Sequence, residues 1–345
     1  MSFKRSNISA VSGERLLAAS IKGGSTVLIV VSEWLASPGP ELLAASGHTI
    51  CFDPILWRDP ERLRELLTDA AALIVRNQTR VTASLLEAAP RLRVVGRLGV
   101  GLDNIDLEAL RSRGIELVTA RQANAIAVAE YVMAAMLHVT RNLAAADDSV
   151  RAGKWEREQL GGTELWGRTL GLVGVGEIGR RVARRALAFG MGVIGYDPFI
   201  GPYDYAPAEL GIRLLPLAEV LAQADVVSVH VPLSPETYHL LDASRLAQMR
   251  PQAVLINTAR GGIVDESALV EALAAGRLRY AVLDVTEQEP LPAESPLRSC
   301  PSVLLTPHIA GLTAEAQERT SRLVVTEVVQ RLASLQKGEE NRPVS

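Results

Sequence analysis

Three ionisable side chains in the second half of the sequence, Arg260, Glu289 and His308, combine an anion-binding fork, a carboxylate and a titratable imidazole. Each follows a predicted apolar strand, where open parallel sheets collect their ligands. Arg260 stands in Asn257-Thr258-Ala259-Arg260-Gly261-Gly262, after a strand whose apolar residues leave little solvent for a cation. A guanidinium there needs an anion, either a substrate carboxylate that suits its planar fork or an internal acid. His308 occupies a Pro-flanked turn, Leu305-Thr306-Pro307-His308, and Glu289 a loop stiffened by Pro290. A His–Glu pair would hold one imidazole tautomer and let the ring give a proton in one direction and take it in the other. His48, His138 and His239 are read as packed polar residues.

The second chemical signal is Thr169-Leu170-Gly171-Leu172-Val173-Gly174-Val175-Gly176-Glu177-Ile178-Gly179, an apolar run meeting three glycines spaced G-x-G-x-x-G before a segment of helical composition. An acid, Asp197, closes the next apolar run 18 residues beyond Gly179. In this strand-turn-helix context the pattern predicts a dinucleotide site. Gly174 makes the turn, Gly176 lets backbone approach a pyrophosphate, Gly179 lets helix and strand pack, and the helix N-terminus offers unpaired N–H groups. Asp197 is expected to bind a ribose diol and repel a 2′-phosphate, which favours NAD over NADP. Arg180 and Arg181 are placed on the solvated face of the helix. Asp284, after Tyr280-Ala281-Val282-Leu283, is expected either to accept from a nicotinamide carboxamide or to cap its loop.

In the first third, Gly99-Val100-Gly101 offers amides that a carboxylate could approach closely. Arg76 and Asn77, with Arg80 and Arg97, lie after predicted strands and could meet a second negative group, at least one of the three arginines being only surface or structural.

These residues need strands and helices to hold them. Apolar runs predict strands at 27–31, 48–52, 72–75, 94–97 and 116–118, separated by helices at 41–46, 60–67, one capped by Thr82, and one ending at Arg113. Five such strands predict a small parallel, doubly wound domain. A long run from Ala125 to about Ala152 is apolar on most of its circumference, so something beyond its own domain is expected to bury it. Further strands are predicted at 192–196, 226–230, 254–257, 280–283 and 303–305, with helices at 217–223, 244–249, 266–275 and 314–335. The last helix is expected to return to the first domain. The prediction is therefore an α/β chain of two doubly wound parallel-sheet domains: a discontinuous substrate-binding domain at 25–122 and 312–335, and a dinucleotide-binding domain at 123–311 inserted into it. Residues 1–24 are read as a loose extension and 336–345 as a frayed polar tail.

Composition agrees. The 345 residues exceed what one core usually supports, and 48% hydrophobic with 22% charged residues describes a globular α/β protein. A net charge of −3 gives no footprint for nucleic acid or anionic lipid. Cys51 and Cys300 form no metal or redox spacing, so a reducing, cytoplasmic setting and no metal are expected. No run approaches the length of a membrane span, and the start lacks the apolar core of a signal peptide.

Taken together, the sequence resembles the D-isomer-specific 2-hydroxyacid dehydrogenases, the family that includes 3-phosphoglycerate dehydrogenase. The resemblance runs from about Thr26 to Leu335 and rests on Val95-Gly96-Arg97-Leu98-Gly99-Val100-Gly101-Leu102-Asp103-Asn104-Ile105-Asp106, Ala127-Val128-Ala129-Glu130, the glycine motif, His230-Val231-Pro232-Leu233, Thr258-Ala259-Arg260-Gly261-Gly262, Asp284-Val285 with Glu289-Pro290, and Thr306-Pro307-His308. It implies a Rossmann NAD-binding domain inserted into a flavodoxin-like substrate domain, with substrate held in the cleft between them. It also implies that Arg260 binds substrate carboxylate and carbonyl, Glu289 polarises His308, and His308 exchanges the proton. The cofactor contacts carried over are Gly174, Gly176, Glu177, Ile178, Gly179, Asp197, His230, Val231, Pro232, Thr258, Ala259, Asp284 and His308. Substrate contacts are Arg76, Asn77, Gly99, Val100, Gly101 and Arg260. A homodimer through the 125–152 region is the implied assembly.

The Val75-Arg76-Asn77-Gln78-Thr79 loop, Ala123-Asn124-Ala125-Ile126-Ala127-Val128-Ala129-Glu130 and Leu160-Gly161-Gly162-Thr163-Glu164-Leu165 look most like sulfolactate dehydrogenases. A dianionic 2-hydroxy acid such as sulfolactate, phosphoglycerate or malate is the implied substrate class. Thr119-Ala120-Arg121-Gln122-Ala123-Asn124 departs from a Pro-Gly turn common in the family, and Glu177 replaces a basic residue, so the pyrophosphate cradle is expected to act through backbone. No regulatory domain of the kind appended to some phosphoglycerate dehydrogenases is expected after Leu335. Because the family also contains NAD-responsive transcriptional corepressors, an interaction scaffold is the alternative. A formate-dehydrogenase-like reaction would call for an amide at 289, where an acid stands.

Overall fold

The computed structural model describes residues 15–17 and 26–340. The chain divides into two compact units, one made of residues up to Ala123 with those from Gln317 on, the other of Asn124–Ala316.

The first unit is built on a six-stranded sheet: β1 (Arg15–Leu17), β2 (Leu28–Val31), β3 (Thr49–Phe52), β4 (Ala70–Val75), β5 (Val94–Arg97) and β6 (Glu116–Thr119), in the spatial order β1-β3-β2-β4-β5-β6. All pairings are parallel except β1 with β3, which is antiparallel. β1 lies in the stretch expected to be loose, so part of that extension is an edge strand; the rest of 1–24 is outside the described residues. α1 (Gly39–Ala45), α2 (Pro60–Leu67), α3 (Ala83–Glu87) and α4 (Leu107–Ser112) connect the strands. Side chains of Asp59, Thr82 and Asp106 cap the last three by accepting N–H bonds in the first turn. β4 is buried along its whole length, the mark of a central parallel strand with helices on both faces. One face of the sheet packs on Val324, Val325, Val328 and Leu332 of the last helix, Ala314–Glu340. That helix runs five residues past the expected end at Leu335, so the first part of the polar tail is helical.

The second unit opens with α5 (Ala125–Arg141) and α6 (Leu143–Arg151). The single long run predicted here is broken at Asn142, which adopts a left-handed conformation with φ 47°. Asn is one of the few non-glycine residues that enters this region at low cost. α5 is buried within its own unit, where Ala129, Val132, Met133, Met136 and Val139 pack with Leu170, Leu172, Val182, Ala183 and Ala186. Burial by something outside the unit, as expected from composition, is not needed for that face. Glu130, Ala134 and His138 form the exposed stripe.

β7 (Thr169–Val173), α7 (Glu177–Ala188), β8 (Gly192–Tyr196), α8 (Tyr205–Leu210), β9 (Arg213–Leu214), α9 (Leu217–Gln223), β10 (Val226–Val229), α10 (Ala243–Leu246), β11 (Val254–Asn257), α11 (Glu266–Ala274), β12 (Tyr280–Leu283) and β13 (Val303–Leu305) follow. They form an all-parallel seven-stranded sheet in the order β13-β12-β11-β10-β7-β8-β9. The strand order reverses between β7 and β10, which is where a doubly wound sheet opens a crevice. The fold is thus α/β, with two doubly wound sheets. Among the described residues, no helix is long and apolar enough to cross a membrane.

Candidate active site

The glycine turn sits at that reversal. Gly174 has φ 98°, a conformation that favours glycine. A Cβ there would lie 2.8 Å from the carbonyl carbon of His230, which follows the neighbouring β10. On Gly179 a Cβ would overlap the Gly174 carbonyl oxygen, so this glycine lets α7 seat against the turn. Gly176 differs: its Cβ would meet no atom within 4 Å. The open space lies at the start of α7, where the N–H groups of Glu177, Ile178 and Gly179 have no partner within the helix. A pyrophosphate has room and donors there.

Glu177 turns its carboxylate away from that role, pairing with Arg180 and Arg181 on its own helix. The two arginines are therefore tied down and only about a third exposed, at 35% and 36%, rather than free on a solvated face. Asp197 accepts from the Val175 amide (2.9 Å) and the Phe199 amide (3.0 Å), so the acid after β8 also braces the glycine turn. His230 Nε2 lies 3.0 Å from Ser228 Oγ, and burial pushes its pKa down to about 3. It is a neutral ring under the turn at physiological pH. Val231 is half-buried and Pro232 exposed beyond it. Thr258 is 9% exposed and its Oγ1 finds no hydrogen-bond partner among the described residues.

β11 delivers Arg260 through a turn rebuilt by the buried Asn257, which the sequence did not single out. Asn257 Oδ1 accepts from the Ala259 amide (3.0 Å) and its Nδ2 donates to the Arg260 carbonyl (2.7 Å). The Arg260 side chain donates Nη1–H to the Ala259 carbonyl at 2.6 Å. The residue is half-buried, less enclosed than the apolar strand suggested. Directly behind it, a Cβ on Gly261 would overlap the Thr286 carbonyl and the Glu287 nitrogen, so glycine lets the 284–289 loop lie against the arginine turn.

That loop brings Glu289 to His308, Nδ1 to Oε2 at 2.9 Å. An ionised carboxylate only accepts, so Nδ1 carries the proton in this bond. The other carboxylate oxygen, Oε1, accepts from the Thr286 amide at 3.3 Å. Burial pushes the Glu289 carboxyl up, but the His308 bond and charge, the Thr286 amide and the Arg260 charge outweigh it and hold its pKa below the ordinary value. The pair is ready to stabilise an imidazolium and leaves His308 Nε2 for proton exchange.

His308 has φ 55°, unusual for a residue with a side chain, and Asp284 enforces it. Asp284 is 1% exposed; Oδ1 accepts from Thr306 Oγ1 (2.6 Å) and the Ile309 amide (2.8 Å), and Oδ2 from the Ala310 amide (2.8 Å). Its backbone carbonyl takes the His308 amide. Tyr131 on α5 extends the chain by bonding Thr306 Oγ1. Asp284 is thus foremost the anchor of the histidine turn, with one acceptor direction on Oδ2 left over.

In the first unit, the reversal lies between β2 and β4, and a residue without any sequence flag organises it. Glu33, 3% exposed, accepts from four consecutive amides, Arg76 (2.8 Å), Asn77 (3.1 Å), Gln78 (3.0 Å) and Thr79 (2.9 Å). The Arg76 guanidinium lies over the Trp34 ring, 5.2 Å from its centroid. Burial lowers its pKa and the Glu33 charge opposes that shift. Asn77 and Arg80 are exposed. Arg97 is the structural arginine of the three: it is 8% exposed and donates Nε–H to Asn104 Oδ1 at 3.1 Å. Of the three amides expected to meet a carboxylate, that of Gly99 is already spent on the Arg97 carbonyl at 2.8 Å. Val100 and Gly101 have no amide acceptor among the described residues.

His138 is exposed and His239 Nε2 bonds Glu287 Oε1, so neither is the packed polar residue expected; His48, 9% exposed, is.

The model of the D-isomer specific 2-hydroxyacid dehydrogenase NAD binding domain matches residues 133–310. The chain is 42% identical over 304 residues to D-3-phosphoglycerate dehydrogenase of Mycobacterium bovis, covering 88% of this chain and 56% of that protein. It thus spans about half the length of the phosphoglycerate dehydrogenases it matches. It is 48% identical over 280 residues to (S)-sulfolactate dehydrogenase of Chromohalobacter salexigens, covering 81% of this chain and 90% of that one. Among solved structures, the TT0316 protein of Thermus thermophilus superposes with a TM-score of 0.82 at 37% identity, over 89% of this chain and 97% of that one. The chain belongs to the D-isomer specific 2-hydroxyacid dehydrogenase family, and its second unit carries that family's NAD-binding domain.

Proposed function

We propose that the protein is an NAD-dependent dehydrogenase that interconverts a small 2-hydroxy acid and its 2-keto acid. The observation that carries this reading is the 2.9 Å bond between His308 Nδ1 and Glu289 Oε2, with the Arg260 charge felt at the same carboxylate. The residues suit the cofactor: the open space above Gly176, the first-turn amides of α7 and the unpartnered Thr258 hydroxyl are what a dinucleotide would use. Gly176, Ile178 and Gly179 would hold the pyrophosphate by backbone, with Gly174, whose amide donates to the Tyr196 carbonyl, shaping the turn; Asp197 would hold the ribose diol, and Val231, Pro232, Thr258, Ala259 and Asp284 the remainder. When bound, NAD supplies the hydride acceptor and donor at nicotinamide C4.

The chain's own residues do the rest. Arg260 binds the substrate carboxylate and orients its C2 carbonyl or hydroxyl. His308 Nε2 takes the hydroxyl proton during oxidation and returns it to the carbonyl oxygen during reduction. Glu289 fixes the ring and offsets its charge while it is protonated. Val100 and Gly101 amides and Arg76, with Asn77 beside it, bind the substrate's negative groups. The half-buried Arg76, held over Trp34, supports a dianionic substrate of the sulfolactate, phosphoglycerate or malate kind. The names of the relatives point to the same class. A homodimer through residues 125–152 is part of the proposal; Leu143 at 70% and Val150 at 54% exposure leave α6 with an apolar surface to cover.

The test is NADH oxidation against 2-keto acids carrying no, one or two further negative charges. The expected result is highest kcat/KM for those with one further charge beyond the carboxylate, falling for neutral side chains. Absence of turnover with every keto acid, together with specific capture of a protein partner, would favour the NAD-responsive scaffold instead.

A further inference from the structure

The loop that carries Glu289 is clasped from outside the site by a residue that none of the chemistry above uses. Beyond β10 the chain reaches Tyr238 and His239, and the His239 amide donates to the Gly262 carbonyl at 2.7 Å, next to the arginine turn. His239 takes a left-handed backbone, φ 49°, and its ring stacks on Tyr238 at 4.0 Å. Its Nε2 meets Glu287 Oε1 at 3.2 Å, and its Nδ1 lies 3.8 Å from Asp265 Oδ2. Glu287 is in turn locked to the first turn of α11: its amide donates to Glu266 Oε1 at 2.5 Å and its Oε1 accepts from the Glu266 amide at 3.2 Å.

We propose that His239 is a positioning residue for Glu289, holding Glu287 and thereby the 286–289 loop in the register that aims Glu289 at His308. Three acids, Asp265, Glu266 and Glu287, crowd this loop, and Glu289 adds a fourth negative charge that Glu266 feels. Burial, then repulsion from Glu287 and Glu289, raises the Glu266 pKa, against the Glu287 amide bond and the His239 charge, which lower it. Without an imidazole donor at 239, the Glu287 carboxylate is left with the Glu266 amide, and repulsion among the acids shifts the loop. Gly261 lies against Thr286 and Glu287 of the same loop, and Gly262 beside it takes the His239 amide, so His239 is tied both to the arginine turn and to the loop packed on it. A carboxylate displaced by even 1 Å no longer meets Nδ1 of His308 at bonding distance.

This inference rests on Glu289 and His308 acting as proposed above, and the test separates the two. His239→Leu removes the donor, while His239→Gln keeps an N–H donor near the position of Nε2; neither is β-branched, so the left-handed backbone is served similarly. The first readout needs no substrate: ring nitrogen shifts of ¹⁵N-histidine-labelled protein at about pH 9, where free imidazole is uncharged. His308, assigned by its loss in His308→Asn, is expected as the Nδ1–H tautomer in the unaltered protein and in His239→Gln, and as a tautomer mixture in His239→Leu. The second is turnover: a kcat lower by about tenfold in His239→Leu with KM for NADH unchanged, and recovery in His239→Gln, as loss of one charge-assisted bond implies. A wild-type tautomer and kcat in His239→Leu overturn the inference, as does an equal loss in both variants, which would assign the effect to the backbone at 239. If the unaltered protein turns over no keto acid, the dehydrogenase reading fails while the tautomer result still decides the role of His239.

Discussion

His230 gives the sharpest quantitative prediction. Its imidazole titrates at 6.5 in an open chain and at about 3 in the fold, because burial disfavours the charged ring beside Ser228. Above pH 6.5 both states hold it neutral and it adds no pH dependence. As pH falls below 6.5 the unfolded chain takes up a proton that the folded chain refuses, so stability is lost progressively until about pH 3. Between pH 7 and pH 5 that single group lowers the unfolding free energy by about 2 kcal/mol. His230→Gln retains a polar partner for Ser228 and removes the titration. Urea unfolding followed by circular dichroism at pH 7 and pH 5 should show a stability loss smaller in the variant by about that amount, whatever its stability at pH 7. His48, also buried with a lowered pKa, steepens both proteins equally and cancels in the comparison. Equal pH slopes in the two proteins would mean that the ring is protonated in the fold, and would refute its assignment as a neutral support of the glycine turn.

Three further outcomes follow from the geometry. His308→Ala should lower kcat by about 10²–10⁴-fold while NADH still binds, as fluorescence titration would show, because the role proposed for the ring is proton transfer and that proposed for the glycine turn is holding the cofactor. Gly176→Val should leave the urea midpoint nearly unchanged, since nothing lies within 4 Å of its Cβ, but weaken NADH binding at least tenfold by filling the space above the helix N-terminus; calorimetry measures this. Glu33→Gln should destabilise the first unit by about 3 kcal/mol, because an amide presents a second set of donors to four N–H groups that need an ionised acceptor; loss of protection at residues 76–79 in hydrogen exchange is the local sign.

How much of this was legible beforehand depends on the range of the interaction. β5, β8, β11, β12 and β13 and helices α2 and α9 fall at their expected residues, because a buried parallel strand announces itself as an apolar run and a capped helix as a local pattern. The glycine motif was readable for the same reason: each glycine answers a constraint set by its immediate neighbours. What escaped was decided by partners far along the chain. Glu33 looks like any acid after a strand until residues 76–79 fold onto it, and Asn257 like any strand end until its turn closes. His239 resembles a packed histidine because Glu287 lies 48 residues away. β1 was hidden because an edge strand needs only three residues and a willing neighbour, and Asn142 because a left-handed break without glycine has no strong local mark. Asp284 was visible as a polar residue in the right place, yet only the Thr306–Ala310 turn shows that its oxygens are mostly committed.

Glu33 also bears on stoichiometry. Both units have the strand reversal at which such sheets receive an anion, and in the second unit the amides there are left for a diphosphate. In the first unit the four amides at the reversal are already saturated by the chain's own carboxylate, a permanent internal occupant. Of the two reversals, the glycine turn of the second unit is therefore the one suited to a dinucleotide, and titration should saturate at one NADH per chain although the fold is built twice from the same kind of sheet.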